Sequence, residues 1–159
     1  MSTNIRDAFD KASGVKTPWN PSRRAIARVK NPLPAPTKCP YCDGAVKLVT
    51  NDHIYGRLYG DWPWTYLCAA PDCDAYVGLH PQTAIPLGTL ANAELRGWRK
   101  RAKAAFNPLW QAPEAELSRS AAYSWLASAL DVENVEACHI GWFDVQTCMR
   151  VIEVCRARS

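Results

Sequence analysis

The chain has 159 residues, of which 48% are hydrophobic, and it carries 19 Lys and Arg against 15 Asp and Glu. No stretch approaches the roughly 18 apolar residues of a transmembrane helix, and no apolar segment follows a basic start, as a secretory signal would require. We therefore expect a cytoplasmic protein with reduced thiols, built as one compact domain or two small ones.

The first 38 residues carry most of the positive charge. They hold eight Lys and Arg against two Asp, a net charge of +6. Prolines alternate with other residues over positions 31–36, which favours an extended linker. We predict a largely disordered basic arm over residues 1–38 that contacts phosphates through Arg23, Arg24, Arg28, Lys30 and Lys38. The alternative is a solvated tail that only aids solubility.

Two close pairs of cysteines follow the arm: Cys39 with Cys42, and Cys68 with Cys73. A Cys-x-x-Cys turn lets two thiolates converge on one ion, and Gly44 suits the positive φ that such a turn usually requires. Four thiolates leave no open coordination position, so the pattern predicts a structural Zn²⁺ site. The alternatives are disulfides or buried free thiols. The missing export signal favours a metal.

Residues rich in β-branched and aromatic side chains surround the cysteines. They predict strands over residues 45–50, 64–67 and 75–79. The expected fold over residues 39–85 is a small antiparallel zinc ribbon with a metal knuckle at each of two turns. Because its core is small, zinc binding should supply much of its folding free energy.

Three phrases of the ribbon resemble the C-terminal zinc ribbons of bacterial type I topoisomerases: residues 39–44 (CPYCDG), 56–60 (GRLYG) and 68–76 (CAAPDCDAY). The resemblance implies binding of single-stranded DNA through exposed aromatic and basic residues. The chain departs from those ribbons in Trp62 and Trp64, which precede the third cysteine, and in a long downstream extension.

A longer part of the chain, about residues 39–154, resembles a family of small zinc-finger-containing proteins encoded by phages and mobile elements. The matching phrases are residues 54–57 (IYGR), 73–78 (CDAYVG), 85–91 (IPLGTLA) and 139–145 (HIGWFDV). This resemblance implies a phage or mobile-element origin and a bound metal, and it implies no particular reaction.

Aromatic residues are dense in the predicted ribbon. Tyr59 and Trp62 lie beside Gly60 and Asp61 in a predicted loop, so we expect both to be exposed and able to stack on bases. Arg57 would then contact phosphate. The alternative is that the ribbon's aromatic residues cover its own sheet.

Helical periodicity appears after the ribbon, and we predict a helical part over residues 86–159 that packs on the ribbon. Three helices are expected, over residues 92–106, 118–130 and 144–155, each with a capping side chain at its start. One flank of the first helix is basic and could lie along phosphates, through Arg96, Lys100 and Lys103 together with Arg99. A solvated face is the alternative.

Recognisable catalytic patterns are missing from the sequence. Cys138 and His139 are neighbours, but neighbours in sequence rarely form a catalytic pair, and no acid partner or glycine elbow accompanies them. We therefore predict that the protein is not an enzyme.

The predicted architecture is α+β: a basic arm, a four-cysteine zinc ribbon and a three-helix C-terminal part. The predicted function is that of a nucleic-acid-binding accessory protein of a phage or mobile element, which prefers single-stranded DNA or RNA. The alternative is a protein-binding module that inhibits or redirects a host protein machine. No membrane partner is predicted, and the oligomeric state stays open.

Overall fold

The computed structural model describes residues 14–158, and these form two compact units that divide the chain between Leu90 and Ala91. We call residues 14–90 the ribbon unit and residues 91–158 the helical unit. The ribbon unit contains α1 (Arg23–Arg28), β1 (Val46–Thr50), α2 (Asp52–Tyr55), β2 (Trp64–Cys68) and β3 (Tyr76–Gly78). The helical unit contains α3 (Ala93–Phe106), α4 (Pro108–Gln111), α5 (Arg119–Ala129) and α6 (Val145–Arg158). None of the helices in this described part is long and apolar enough to cross a membrane.

The ribbon unit is built on a three-stranded antiparallel sheet in the order β1-β2-β3, as the sequence predicted. Val46 at the start of β1 faces Cys68 at the end of β2. The first cysteine pair precedes β1 and the second begins at the end of β2, so the antiparallel register brings both pairs to one end of the sheet. Trp64, Tyr66 and Val77 supply much of its small buried core.

The arm differs from the predicted disordered segment over residues 14–38. The ring of Trp19 packs edge-on against Trp64, with the ring centroids 5.1 Å apart. The backbone N–H of Ser22 donates to the Gln82 carbonyl at 2.8 Å, and the Ser22 hydroxyl caps α1. These contacts join residues distant in sequence, which is why local composition did not indicate them. Residues 1–13 of the predicted arm lie outside the described residues.

In the helical unit, the long helices α3 and α6 pack against each other. Asn92 caps α3 by accepting a hydrogen bond from the Leu95 backbone N–H at 3.0 Å, as expected from the sequence. Ala102 and Phe106 of α3 are fully buried, as is Val151 of α6. Leu126 of α5 completes this core.

The helical unit also departs from the sequence-based expectation. Besides the three long helices it contains the short α4 and two 3-10 turns, Val135–Ala137 and Ile140–Trp142. Arg99, expected on the exposed basic flank of α3, is buried instead. Its Nε donates to the Phe143 carbonyl at 3.0 Å. The aliphatic stem of an arginine can be buried when its head finds such an acceptor.

Replacing Phe106 with alanine should destabilise the helical unit strongly. The Phe106 side chain is fully buried, and its ring packs against that of Tyr123 with centroids 4.9 Å apart. The cavity left behind should cost about 3–5 kcal/mol, measured by chemical denaturation followed by circular dichroism. Val135→Ala, at an exposed position, should change the unfolding free energy by less than about 0.5 kcal/mol. Similar losses in both variants would contradict this core assignment.

Candidate metal centre

The first knuckle is a tight turn closed by two backbone hydrogen bonds. The Cys39 N–H donates to the Gly44 carbonyl at 2.8 Å, and the Asp43 N–H donates to the Cys39 carbonyl at 2.9 Å. This turn folds Cys42 back toward Cys39. An exposed ion pair between Lys38 and Asp43, at 3.6 Å, spans the same turn. Pairs so exposed add little stability, so the backbone bonds define the turn.

The second knuckle connects β2 to the start of β3. The Cys68 N–H donates to the Ala75 carbonyl at 3.0 Å, and the Cys73 N–H donates to the Ala70 carbonyl at 3.2 Å. The Ala69 N–H donates to the Ala45 carbonyl at 2.8 Å, which ties this knuckle to the residue before β1. The two knuckles are thus linked by main-chain bonds.

The four cysteine sulfurs converge on one point. All of them lie within 4.8 Å of one another. The sulfurs of Cys39 and Cys73 are 3.6 Å apart, and those of Cys42 and Cys68 are 3.5 Å apart. Four sulfurs bound tetrahedrally to zinc at about 2.3 Å lie about 3.8 Å from each other, so the cluster fits zinc. Because four thiolates fill the tetrahedron, the bound ion would be structural.

Burial and backbone hydrogen bonds shift the pKa values of Cys39 and Cys68 in opposite directions. Burial raises the pKa of Cys39, but hydrogen bonds from the backbone of Tyr41 and Cys42 outweigh it and hold that pKa below its ordinary value. A backbone hydrogen bond from Ala70 favours the thiolate of Cys68, but burial and the adjacent thiols raise its pKa to about 12. Zinc must therefore displace protons on binding, and its affinity falls as the pH falls.

Gly44 is required for a different reason from the one predicted. Among the described residues, the positive φ of this turn belongs to Asp43, at 62°, and not to Gly44. A Cβ on Gly44 would lie 3.2 Å from the Cys42 sulfur and 3.3 Å from both the Cys68 sulfur and the Ala70 Cβ. The missing side chain at position 44 thus makes room for the metal cluster itself.

A family model described as a zinc-finger-containing domain, DUF3268, matches residues 35–158 of the chain. The chain belongs to this zinc-finger family. The matched region contains all four clustered cysteines and the whole helical unit. Comparisons with curated proteins and with solved structures found no match.

The other predicted site residues do not form one cluster. The basic residues of the arm and ribbon are exposed: Arg23, Arg24, Arg28, Lys30, Lys38 and Arg57. Lys100 and Lys103 are exposed on α3, while Arg96 is half-buried and donates to the Ala91 carbonyl at 2.6 Å. With Arg99 buried, the predicted basic flank of α3 keeps Lys100 and Lys103 as its exposed charges.

The two aromatic candidates differ. Tyr59 is 63% exposed, as the sequence predicted. The exposure predicted for Trp62 is not observed: its ring is half-buried against the ribbon core, and its Nε1 donates to the Thr83 carbonyl at 3.0 Å. The second exposed ring beside Tyr59 is Tyr55, at 52%. Its position on the turn that ends at Gly56 was the available sequence signal.

Single cysteine substitutions should distinguish the four zinc ligands from the buried cysteines of the helical unit. We expect one zinc per chain in the natively purified protein, and Cys42→Ser should lose most of it because three thiolates remain. Cys148→Ser should keep it, since Cys148 is a buried thiol of the helical core. Native mass spectrometry measures the stoichiometry, and equal zinc loss in both variants would refute the assignment.

Gly44→Ala should weaken zinc binding while leaving all four ligands in place. The added methyl group would press on the sulfurs of Cys42 and Cys68, and we expect a loss of about tenfold or more in zinc affinity by chelator competition. Gly97→Ala is the matched control, because a Cβ at position 97 meets nothing within 4 Å. An unchanged affinity in Gly44→Ala would contradict the close packing of position 44 against the two sulfurs.

Proposed function

We propose that the ribbon unit binds single-stranded nucleic acid through the loop formed by residues 52–60, which we call the aromatic loop. The observation that carries this proposal is the exposure of three large side chains in one short segment: Tyr55 at 52%, Leu58 at 60% and Tyr59 at 63%. Exposed rings of this kind provide stacking surfaces for unpaired bases. The resemblance to ribbons that bind single-stranded DNA supports the same role.

The aromatic loop is held in shape by Asn51, which is buried at its base. The Asn51 side-chain amide donates to the Tyr59 carbonyl at 2.8 Å, and its oxygen accepts from the Tyr59 N–H at 3.0 Å. The Asn51 N–H also donates to the Pro63 carbonyl at 2.9 Å. The ring centroids of Tyr55 and Tyr59 are 5.7 Å apart. The two rings therefore lie next to each other in the free protein, where both can stack on bases.

Positive charge accompanies these rings on the ribbon unit. Arg57 belongs to the aromatic loop, and Lys47 is exposed on β1. Helix α1 contributes Arg23, Arg24 and Arg28, and it has neither an acidic residue in its first turn nor a buried residue. Such charges would attract phosphates without regard to sequence.

Acidic residues in and beside the aromatic loop weaken the attraction of phosphates to it. Asp52 begins α2, and a hydrogen bond from the Thr50 hydroxyl lowers the pKa of its carboxyl group. It therefore stays ionised at neutral pH, and a second carboxylate, Asp61, follows the loop. The arginines of α1 are consequently needed in this proposal for long-range attraction, while the rings supply short-range stacking.

Several further expectations belong to the same proposal. None of the seven cysteines forms a disulfide, which suits a reducing cytoplasm. A non-enzymatic role is supported by the four-cysteine site, which leaves zinc no open position, and by Cys138, whose burial raises its pKa to about 11. The origin in a phage or mobile element rests on the sequence phrases that resemble that family.

The aromatic loop can be tested by titrating fluorescently labelled oligonucleotides with the zinc-loaded protein at several salt concentrations. We expect tighter binding to single strands than to duplex. Tyr59→Ala should weaken binding by about 1–3 kcal/mol at every salt concentration, because a stacking surface is removed. Neutralising Arg23, Arg24 and Arg28 with glutamine should instead flatten the salt dependence, by about 0.7 in log–log slope for each phosphate that the protein no longer neutralises.

The matched control is Tyr41→Ala, since Tyr41 is also exposed on the ribbon unit, at 44%, but lies outside the aromatic loop. It should leave the affinity unchanged. Substituting the arginines is preferable to deleting the arm, because deletion would also remove the packing of Trp19 on Trp64. If the intact protein binds no oligonucleotide even at low salt, the proposal fails.

A further inference from the structure

The helical unit has an open groove between α3 and α6, with a volume of about 770 Å³. Its apolar surface comes from large side chains on both helices, and its charged rim is mostly basic. The residues on which the inference depends are Trp98, Arg101, Ala105, Met149, Ile152 and Arg156. None of this surface belongs to the ribbon unit or to the aromatic loop.

The length of the groove matches two turns of a helix. Its residues extend from Trp98 to Ala105 on α3 and from Met149 to Arg156 on α6. Seven residues of α-helix rise about 10.5 Å. That is also the distance between the first and last apolar residues of a helix with anchors at i, i+3 or i+4, and i+7. An amphipathic helix could therefore place three anchors along the groove.

The chemistry of the groove is that of a protein-binding surface. Tryptophan, arginine and methionine are the residue types enriched at the centres of interfaces. Met149 is 39% exposed, and Trp98 is half-buried, with the Arg101 guanidinium 4.9 Å from its ring centroid. The flexible thioether of Met149 can adapt to an apolar side chain inserted between the helices.

The mostly basic rim of the groove favours an acidic ligand. Arg101 lies on one side and Arg156 on the other, and Glu153 is the single acidic residue that lines the groove. A helix with acidic residues beside its apolar face would carry the charge opposite to that of both arginines. A second copy of this chain fits poorly, because each helix of the described residues carries at most one acidic residue.

We propose that the groove between α3 and α6 binds an amphipathic, acidic α-helix of a partner protein. The apolar residues of that helix lie against Trp98, Met149 and Ile152, and its carboxylates face Arg101 and Arg156. This second binding surface lies within the helical unit and shares no residue with the proposed nucleic-acid surface.

The test is a selection from a displayed library of helical 16-residue peptides, with the full-length zinc-loaded protein as bait and labelled single-stranded DNA as a competitor. We expect enriched peptides to carry apolar residues at i, i+3 or i+4, and i+7 flanked by Glu or Asp. For synthetic copies of these peptides, Met149→Asp should weaken binding by about tenfold or more in fluorescence anisotropy, since it places a carboxylate in the apolar groove. The competing DNA should not displace them.

Arg156→Glu and Arg150→Glu make a matched pair on α6, because both reverse an exposed charge but only Arg156 lines the groove. Arg156→Glu should weaken the acidic peptide and improve binding of a version with Lys in place of Glu, whereas Arg150→Glu should do neither. Circular dichroism and zinc content verify that each variant is folded. The proposal is overturned if no peptide is enriched, if the winners are basic, if DNA displaces them, or if both arginine variants behave alike.

Discussion

Convergence of four thiolates on one zinc ion is the interaction on which the ribbon unit depends. The unit has a three-stranded sheet with few buried side chains, and a core of that size offsets little of the entropy of ordering the chain. Zinc ties the segment before β1 to the segment after β2, so it fixes the hairpin at the end where the strands would otherwise separate. The opposite end of the same hairpin carries the aromatic loop.

The two ends of the β1–β2 strand pair are therefore stabilised in different ways. At the metal end, backbone N–H groups and zinc offset the charge of four thiolates. At the far end no metal is needed, because the Asn51 side chain holds the aromatic loop with two hydrogen bonds to the backbone of Tyr59. The metal thus positions the exposed rings indirectly, through the antiparallel register between β1 and β2.

The sequence predicted what depends on local pattern and on residue chemistry. The spacing of the cysteines, the alternation of the strands and the caps Asn92 and Ser118 all have short-range causes, and the structure places these residues as expected. The family match supports the zinc-finger assignment.

What the sequence missed are contacts made across long separations. Trp62 and Arg99 were expected to be exposed because one is next to a loop and the other lies among basic residues. Each instead reaches a backbone carbonyl, 21 and 44 residues away along the chain. The packing of Trp19 on Trp64 is of the same kind. The sequence also did not indicate why position 44 is a glycine, because a Cβ there would meet Cys68 and Ala70 of the second knuckle as well as the Cys42 sulfur of its own turn.

The four zinc ligands differ in their exposure to solvent. Cys39 and Cys68 are buried and Cys73 is half-buried, while Cys42 is exposed. An incoming thiol, chelator or oxidant must reach a sulfur before it can displace or modify that ligand, so reactivity at a closed four-thiolate site depends on the accessibility of each sulfur. Of the four ligands, Cys42 is therefore the one that an incoming thiol, chelator or oxidant reaches most readily, whereas the affinity for zinc depends on all four sulfurs.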